Sequence, residues 1–264
     1  MRRASSLAAT CAAWLCSVQA LAAAAGPAAC DKPVYLSFDT GHMAVAPLVA
    51  EVLKRHHVKV TFFVANERTQ TGGTSLDDAW APWWRARAAE GHAFGSHTWD
   101  HDVWLADTPA GLRVKPTQGP QAGTVRVLDR AAYCAELQRP ADRLLALTGQ
   151  RMGSIFRAPG GKTSPGLLKA ATSCGWTHVG WSPAGFLGDE LSSESHPNAT
   201  LLQRALRDIR AGDVLLAHLG IWSRQDAWAP AVLEPLITGL KARGLCFATL
   251  REHPQYRAAA ERLR

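Results

Sequence analysis

Two histidines, His97 and His101, are spaced i, i+4 in the segment Gly95–Asp102. On one turn of helix this spacing places both imidazole rings on the same face. Two imidazoles form half of a metal site, because a catalytic zinc ion usually takes three protein ligands and a water molecule. In a chain with 10 histidines, the pair by itself is more typical of a surface turn with two solvated rings. Its meaning therefore depends on where the other polar side chains fall.

The rest of the chain alternates short apolar runs with segments of helical periodicity. The predicted strands cover 33–38, 58–64, 92–94, 152–156, 177–181, 213–217 and 245–250, and the predicted helices cover 46–55, 76–89, 128–147, 164–173, 199–209 and 231–243. This alternation predicts a mainly parallel sheet with outer helices, which can close into a (β/α) barrel. Residues 102–125 contain several Pro and Gly and no clear period, so we expect a long loop or insertion there, with a second loop region over 183–197.

Four polar side chains lie just after predicted strands: Asp39, His97, Arg157 and His218. In parallel α/β folds the carboxyl ends of the strands point to one face, and active sites are built there. Each residue alone has an ordinary structural explanation, such as a turn, a surface ion pair or a buried histidine. Together, four strand ends that offer Asp, His, Arg and His favour a functional site.

The N-terminus has the layout of an export signal. Arg2 and Arg3 precede an uncharged, Ala-rich stretch from Leu7 to Ala25 that ends in small residues, which is typical of a cleaved secretory signal peptide and less so of a membrane anchor. We therefore expect residues 1–25 to be a signal peptide and 26–264 to form a single catalytic domain. The protein is then exported, to the periplasm or beyond, without stable membrane insertion. The net charge of +7 includes no Lys/Arg run, so we expect no nucleic-acid partner and a monomer.

Four cysteines remain after the signal segment: Cys30, Cys134, Cys174 and Cys246. An even number in an exported chain indicates disulfides, with three possible connectivities. A closed barrel brings its first and last strands together, which favours Cys30 with Cys246. Cys134 and Cys174 lie on predicted helices adjacent in sequence. Free buried thiols are the alternative.

Four short motifs carry a family resemblance. Ser37-Phe-Asp-Thr-Gly41, His97-Thr-Trp-Asp-His101, Phe156-Arg-Ala-Pro-Gly-Gly161 and Leu215-Leu-Ala-His218 resemble, in this order, the motif series of polysaccharide deacetylases, the NodB-like enzymes of carbohydrate esterase family 4. The likeness extends from about Pro33 to Leu250. It implies a deformed (β/α) barrel with its active site at the C-terminal ends of the strands. It also implies a metal-dependent deacetylase that removes N-acetyl or O-acetyl groups from a cell-envelope or extracellular polysaccharide.

The resemblance gives each matching residue a role. Asp39 matches the general base, His218 the general acid and Arg157 the residue that orients the base. The other matches are two ligands of a divalent metal, most simply Zn²⁺ (His97 and His101), an oxyanion donor (the backbone N–H of Gly160) and a wall of the acetyl-methyl pocket (Leu216).

Two positions depart from the family pattern, both in acidic residues. The first motif of the family has a second aspartate that ligates the metal, and Thr40 stands at that place. Asp100 or Asp102 could turn inward, Asp39 could ligate the metal directly, or an extra water could fill the site; otherwise the metal is lost. The fourth motif lacks its acid in the segment 181–186, so Asp189 or Glu190 would have to support Arg157.

Aromatic side chains near the site histidines are candidates for stacking on sugar rings. Trp99 and Trp222 lie within four residues of His101 and His218, and we predict that they bind substrate, although core packing is the ordinary alternative. Two other functions stay open. One is a non-catalytic glycan-binding protein on the same fold, and the other is an amidohydrolase for a small non-sugar amide.

Overall fold

Short strands and helices alternate along the chain in the computed structural model, which describes residues 30–264. The strands are β1 (Pro33–Asp39), β2 (Thr61–Val64), β3 (Ala93–Ser96), β4 (Asp102–Thr108), β5 (Gly111–Pro116), β6 (Arg126–Leu128), β7 (Ile155–Phe156), β8 (Thr177–His178), β9 (Val214–His218) and β10 (Cys246–Phe247). The helices are α1 (Ala46–Arg55), α2 (Ala81–Ala89), α3 (Arg130–Thr148), α4 (Pro165–Ser173), α5 (Asn198–Asp208), α6 (Glu234–Ala242) and α7 (Arg257–Ala260).

Seven of the strands form one parallel sheet in the order β10-β1-β2-β3-β7-β8, and β9 pairs with the other edge of β1. A bridge between Phe186 and Leu216 links the segment after β8 to β9, so that the sheet curls back on itself. The helices lie outside. This is the deformed (β/α) barrel of mainly parallel strands predicted from the sequence, and the fold prediction is confirmed.

The central strand β1 determines which side chains face the site. Successive residues of a strand point to opposite faces of the sheet. Val34, Leu36 and Phe38 pack in the large apolar cluster between the sheet and the helices. The alternate face carries Ser37 and Asp39, both buried. Asp39 is the last residue of β1, so its carboxylate lies at the mouth of the barrel.

Residues 102–125 were predicted to be a long loop or an insertion, and the loop prediction was wrong for 102–116, which contain strands outside the main sheet. β4 and β5 form an antiparallel hairpin, and β6 adds a third strand. In β5, Leu112 and Val114 are buried and alternate with exposed Arg113 and Lys115, a period-two pattern that the surrounding Pro and Gly residues concealed. Gly111 lies at the hairpin turn with φ +139°, and a Cβ there would come within 2.2 Å of the Leu128 carbonyl oxygen.

Both favoured disulfides are present, Cys30–Cys246 and Cys134–Cys174. The first links the entry of β1 to its neighbour β10, where Pro33 pairs with Cys246, so the argument from strand order is confirmed. The predicted signal peptide, residues 1–25, lies outside the described residues. Within residues 30–264, no helix is both long enough and apolar enough to cross a membrane.

Candidate active site

A buried ion pair lies at the bottom of the site. Arg157 Nη1 donates to Asp39 Oδ1 at 2.7 Å, and both side chains are almost completely buried. Nη2 of Arg157 donates to the Ser37 hydroxyl at 2.8 Å and to the Gly180 carbonyl at 3.2 Å. Burial by itself would raise the pKa of Asp39. The positive charge of Arg157, with His97 and His218 nearby, lowers this pKa below its ordinary value, so the carboxylate is ionised at neutral pH.

His218 lies directly across from Asp39. The two residues are register partners on the parallel strands β9 and β1. Asp189 accepts hydrogen bonds from the backbone N–H of His218 at 2.6 Å and contacts its Nδ1 at 3.1 Å. Burial by itself would lower the pKa of His218, but Asp189, together with Asp39 and Glu190, raises this pKa to about 9. The cavity therefore places an ionised carboxylate opposite a protonated imidazole.

His97 and His101 lie in a loop and not on a helical turn, the conformation in which their i, i+4 spacing would place both rings on one face. The loop follows β3, and Thr98 and His101 both have positive φ, at 60° and 52°. This conformation is unusual for a β-branched residue and is concentrated at functional sites. The two rings still meet, with centroids 4.8 Å apart.

In each of the two histidines, the ring nitrogen Nδ1 has a hydrogen-bond partner. His97 Nδ1 donates to the Arg157 carbonyl at 2.9 Å, and His101 Nδ1 bonds to the Thr117 hydroxyl at 2.7 Å. Burial lowers the pKa of His97 to about 4, so its Nε2 carries a lone pair. That nitrogen lies 3.4 Å from Asp39 Oδ2. Two lone-pair atoms at this distance repel unless a proton or a cation lies between them.

A cavity of about 180 Å³ collects most of the predicted site residues. Its walls include Asp39, His97, His101, Gly160, Leu216 and His218. Arg157 lies directly beneath Asp39. The prediction that separate strand ends bring these side chains together agrees with their positions in the structure. Gly160 has φ +64°, in the left-handed region that favours glycine.

Of the expected acidic substitutes, Asp100 and Asp102 do not line the cavity, and Asp189 and Glu190 contact His218 and not Arg157. Asp102 accepts two hydrogen bonds from Arg126, each at 2.9 Å, and Asp100 lies 3.7 Å from the same guanidinium, so both turn away from the cavity. Asp189 binds His218 and makes no hydrogen bond or ion pair to Arg157. The guanidinium of Arg157 is held by a hydroxyl and backbone carbonyls, with Asp39 as its acidic partner.

The two tryptophans predicted to bind substrate lie outside the cavity. Trp99 is half-buried against the core, with the Arg139 guanidinium 4.4 Å from its ring centroid. Trp222 is 55% exposed and borders a neighbouring surface pocket with Arg68, so its role as a stacking platform stays a prediction. The indole that does line the cavity is Trp181.

Sequence reasoning also missed Glu67. Its side chain lines the cavity and accepts a hydrogen bond from Thr40 Oγ1 at 2.6 Å. Glu67 follows β2, which ends at Val64. The rule that identified Asp39, His97 and His218 from strand ends would have found it, had the rule been applied to the second strand.

Comparisons with known proteins agree with this (β/α)-barrel enzyme site. A sequence model of the family described as polysaccharide deacetylase matches residues 26–179. The chain is 27% identical over 232 residues to a chitooligosaccharide deacetylase from Azorhizobium caulinodans, covering 83% of this chain and 93% of that protein. It is 25% identical over 221 residues to the peptidoglycan-N-acetylmuramic acid deacetylase of Bacillus subtilis, covering 83% and 70%. A family 4 acetyl xylan esterase from Clostridium thermocellum, solved with a cobalt ion, has a TM-score of 0.64 at 21% identity, over 86% of this chain and 93% of that chain. The chain belongs to the polysaccharide deacetylase family.

Proposed function

We propose that the protein is an exported, metal-dependent hydrolase that removes acetyl groups from a polysaccharide. The observation that carries this proposal is the cavity in which Asp39 and His218 face each other in register, beside the histidine pair. Its relatives include enzymes named for acetylated chito-oligosaccharides and for peptidoglycan. Two disulfides suit an oxidising compartment, which supports export.

The proposed roles follow from the protonation states. Asp39 is ionised and can accept a proton from an attacking water. His218 is protonated below about pH 9 and can donate a proton to the leaving amine or alcohol. Arg157 holds the Asp39 carboxylate in position through Oδ1, which leaves Oδ2 toward His97.

The donor types around His97 and His101 fit a divalent cation. Both imidazoles have Nδ1 engaged and Nε2 available, the arrangement that second-sphere partners impose on metal-binding histidines. As the side chains stand, no group of three or more His, Cys, Asp or Glu residues within 30–264 is already arranged to hold an ion, so binding would require side-chain rotation. A divalent cation held there would polarise the acetyl carbonyl and lower the pKa of the attacking water.

Acetate release from acetylated chito-oligosaccharides, measured on EDTA-stripped and zinc-reloaded protein, tests the proposal. We expect release that depends on metal and that the Asp39→Asn variant abolishes. Release that survives this substitution would contradict the role of Asp39. Zinc binding without acetate release on any acetylated glycan would favour a small non-sugar amide as substrate.

A further inference from the structure

Glu67 is a buried carboxylate without a cationic partner. Glu67 is only 7% exposed. No Lys, Arg or His nitrogen of residues 30–264 lies within 4.0 Å of its carboxylate oxygens, the limit for an ion pair. Acidic side chains are rarely buried unless they are paired or bind a metal. The other cavity carboxylate below the surface, Asp39, has its charge matched by Arg157. Within residues 30–264, Glu67 is therefore the carboxylate of this cavity wall that has no cationic partner.

The backbone around Glu67 is held firmly. Its N–H donates to the Ser75 hydroxyl at 3.1 Å, and its carbonyl accepts from the Ser75 N–H at 2.8 Å. The same hydroxyl donates to the Ala65 carbonyl at 2.6 Å. Ser75 is completely buried. Its two hydrogen bonds to Glu67 therefore fix the backbone position from which the Glu67 side chain enters the cavity.

Thr40 acts as a support for that carboxylate. Its hydroxyl accepts from the Ala65 N–H at 3.0 Å and donates its single proton to Glu67 Oε1 at 2.6 Å. Carboxylates that ligate metals are themselves usually held by hydrogen bonds from neighbouring groups. The neutral residue at position 40 therefore need not contact an ion, because it already orients an acidic side chain that lines the same cavity as both histidines.

We propose that Glu67 is the carboxylate ligand of the metal site, completing a set with His97 and His101. This inference rests on the metal-dependent function proposed above. Two histidines and one glutamate are an established donor set for catalytic zinc. The negative charge compensates the cation where two neutral imidazoles alone would not. Because the three donors are not yet closed around one point, the incoming ion would draw the side chain of Glu67 toward the imidazoles.

Zinc affinity, measured by competition with a chromophoric chelator, tests the assignment without reference to turnover. Glu67→Gln keeps the shape and an acceptor for Thr40 but removes the charge. We expect its Kd for zinc to rise by about 100-fold or more, beyond the 10- to 100-fold typical of outer-sphere changes. Glu190→Gln removes another carboxylate from the same cavity, and we expect its Kd to change by less than about threefold.

A relocated carboxylate provides the second test. The double variant Thr40→Asp/Glu67→Gln restores an acid one position along from Asp39, and we expect it to regain most of the lost affinity. Thermal melting of each metal-free variant verifies that it folds. If wild type and Glu67→Gln bind zinc equally, the inference about Glu67 fails while the metal-dependent function stands. If the wild-type protein binds no zinc at micromolar concentration, both fail.

Discussion

Asp189 is the residue that keeps His218 protonated, and Asp189→Asn isolates this effect. The amide retains an acceptor for the His218 backbone N–H, now held at 2.6 Å, but removes the charge beside Nδ1. Burial lowers the pKa of His218, and without the Asp189 charge less remains to raise it. The pKa should therefore fall from about 9 to the ordinary value of about 6.5 or below. At pH 8 the protonated fraction would fall from about 0.9 to about 0.03, which corresponds to a rate loss of about 30-fold if His218 is the acid.

The pH dependence of acetate release provides the assay. We expect the alkaline limb near pH 9 in the wild-type profile to move below pH 7 in Asp189→Asn, and an NMR titration of the His218 ring should show the same shift. Glu190→Gln is the matched control, because Glu190 is half-exposed and lies 3.8 Å from Nε2, and it should move the limb much less. An alkaline limb that stays in place in Asp189→Asn would refute the assignment of His218 as the acid.

Three further predictions concern stability. Arg157→Met leaves the buried charge of Asp39 uncompensated, so the free energy of unfolding in urea should fall by about 3–5 kcal/mol, and adding Asp39→Asn should recover part of the loss. The raised pKa of His218 contributes stability that is fully present below about pH 6.5 and is lost as pH rises through about 9; a His218→Gln variant should therefore lose less stability than wild type between pH 6 and 10. Replacing Cys30 and Cys246 by Ala opens a loop of 216 residues, and urea unfolding should show a loss of about 2–5 kcal/mol.

Much of the fold could be predicted because the apolar pattern is local. α1 and α4 are formed by residues whose burial follows their own helical periodicity, and β1 is a short apolar run that is buried almost throughout. Strand limits were less predictable, since they depend on distant partners. Residues 152–154 were predicted as strand, yet Gly153 pairs with Leu263 and Ser154 donates to the Arg262 carbonyl. No local sequence signal indicates that the C-terminal segment would occupy that edge.

The proximity of Asp39 and His218 was predictable for the same reason, because these residues end neighbouring parallel strands. The supporting contacts were not. Asp189 could be named as a substitute acid, but the sequence could not indicate that it would bind His218 and leave Arg157 to Ser37. Such partners depend on loop conformations that the spacing of residues does not encode.

Thr40 stands at the motif position where the family pattern has an aspartate, and its hydroxyl contacts Glu67. An aspartate there would stand beside Glu67, now 2.6 Å from the Thr40 hydroxyl, and two carboxylates at that distance repel strongly in a buried cavity. A hydroxyl in the same place donates a proton and removes the repulsion. Thr40 and Glu67 are therefore mutually dependent, and we expect Thr40→Asp alone to destabilise the metal-free protein, whereas Thr40→Asp combined with Glu67→Gln should not. Equal unfolding free energies for the two variants would contradict this coupling.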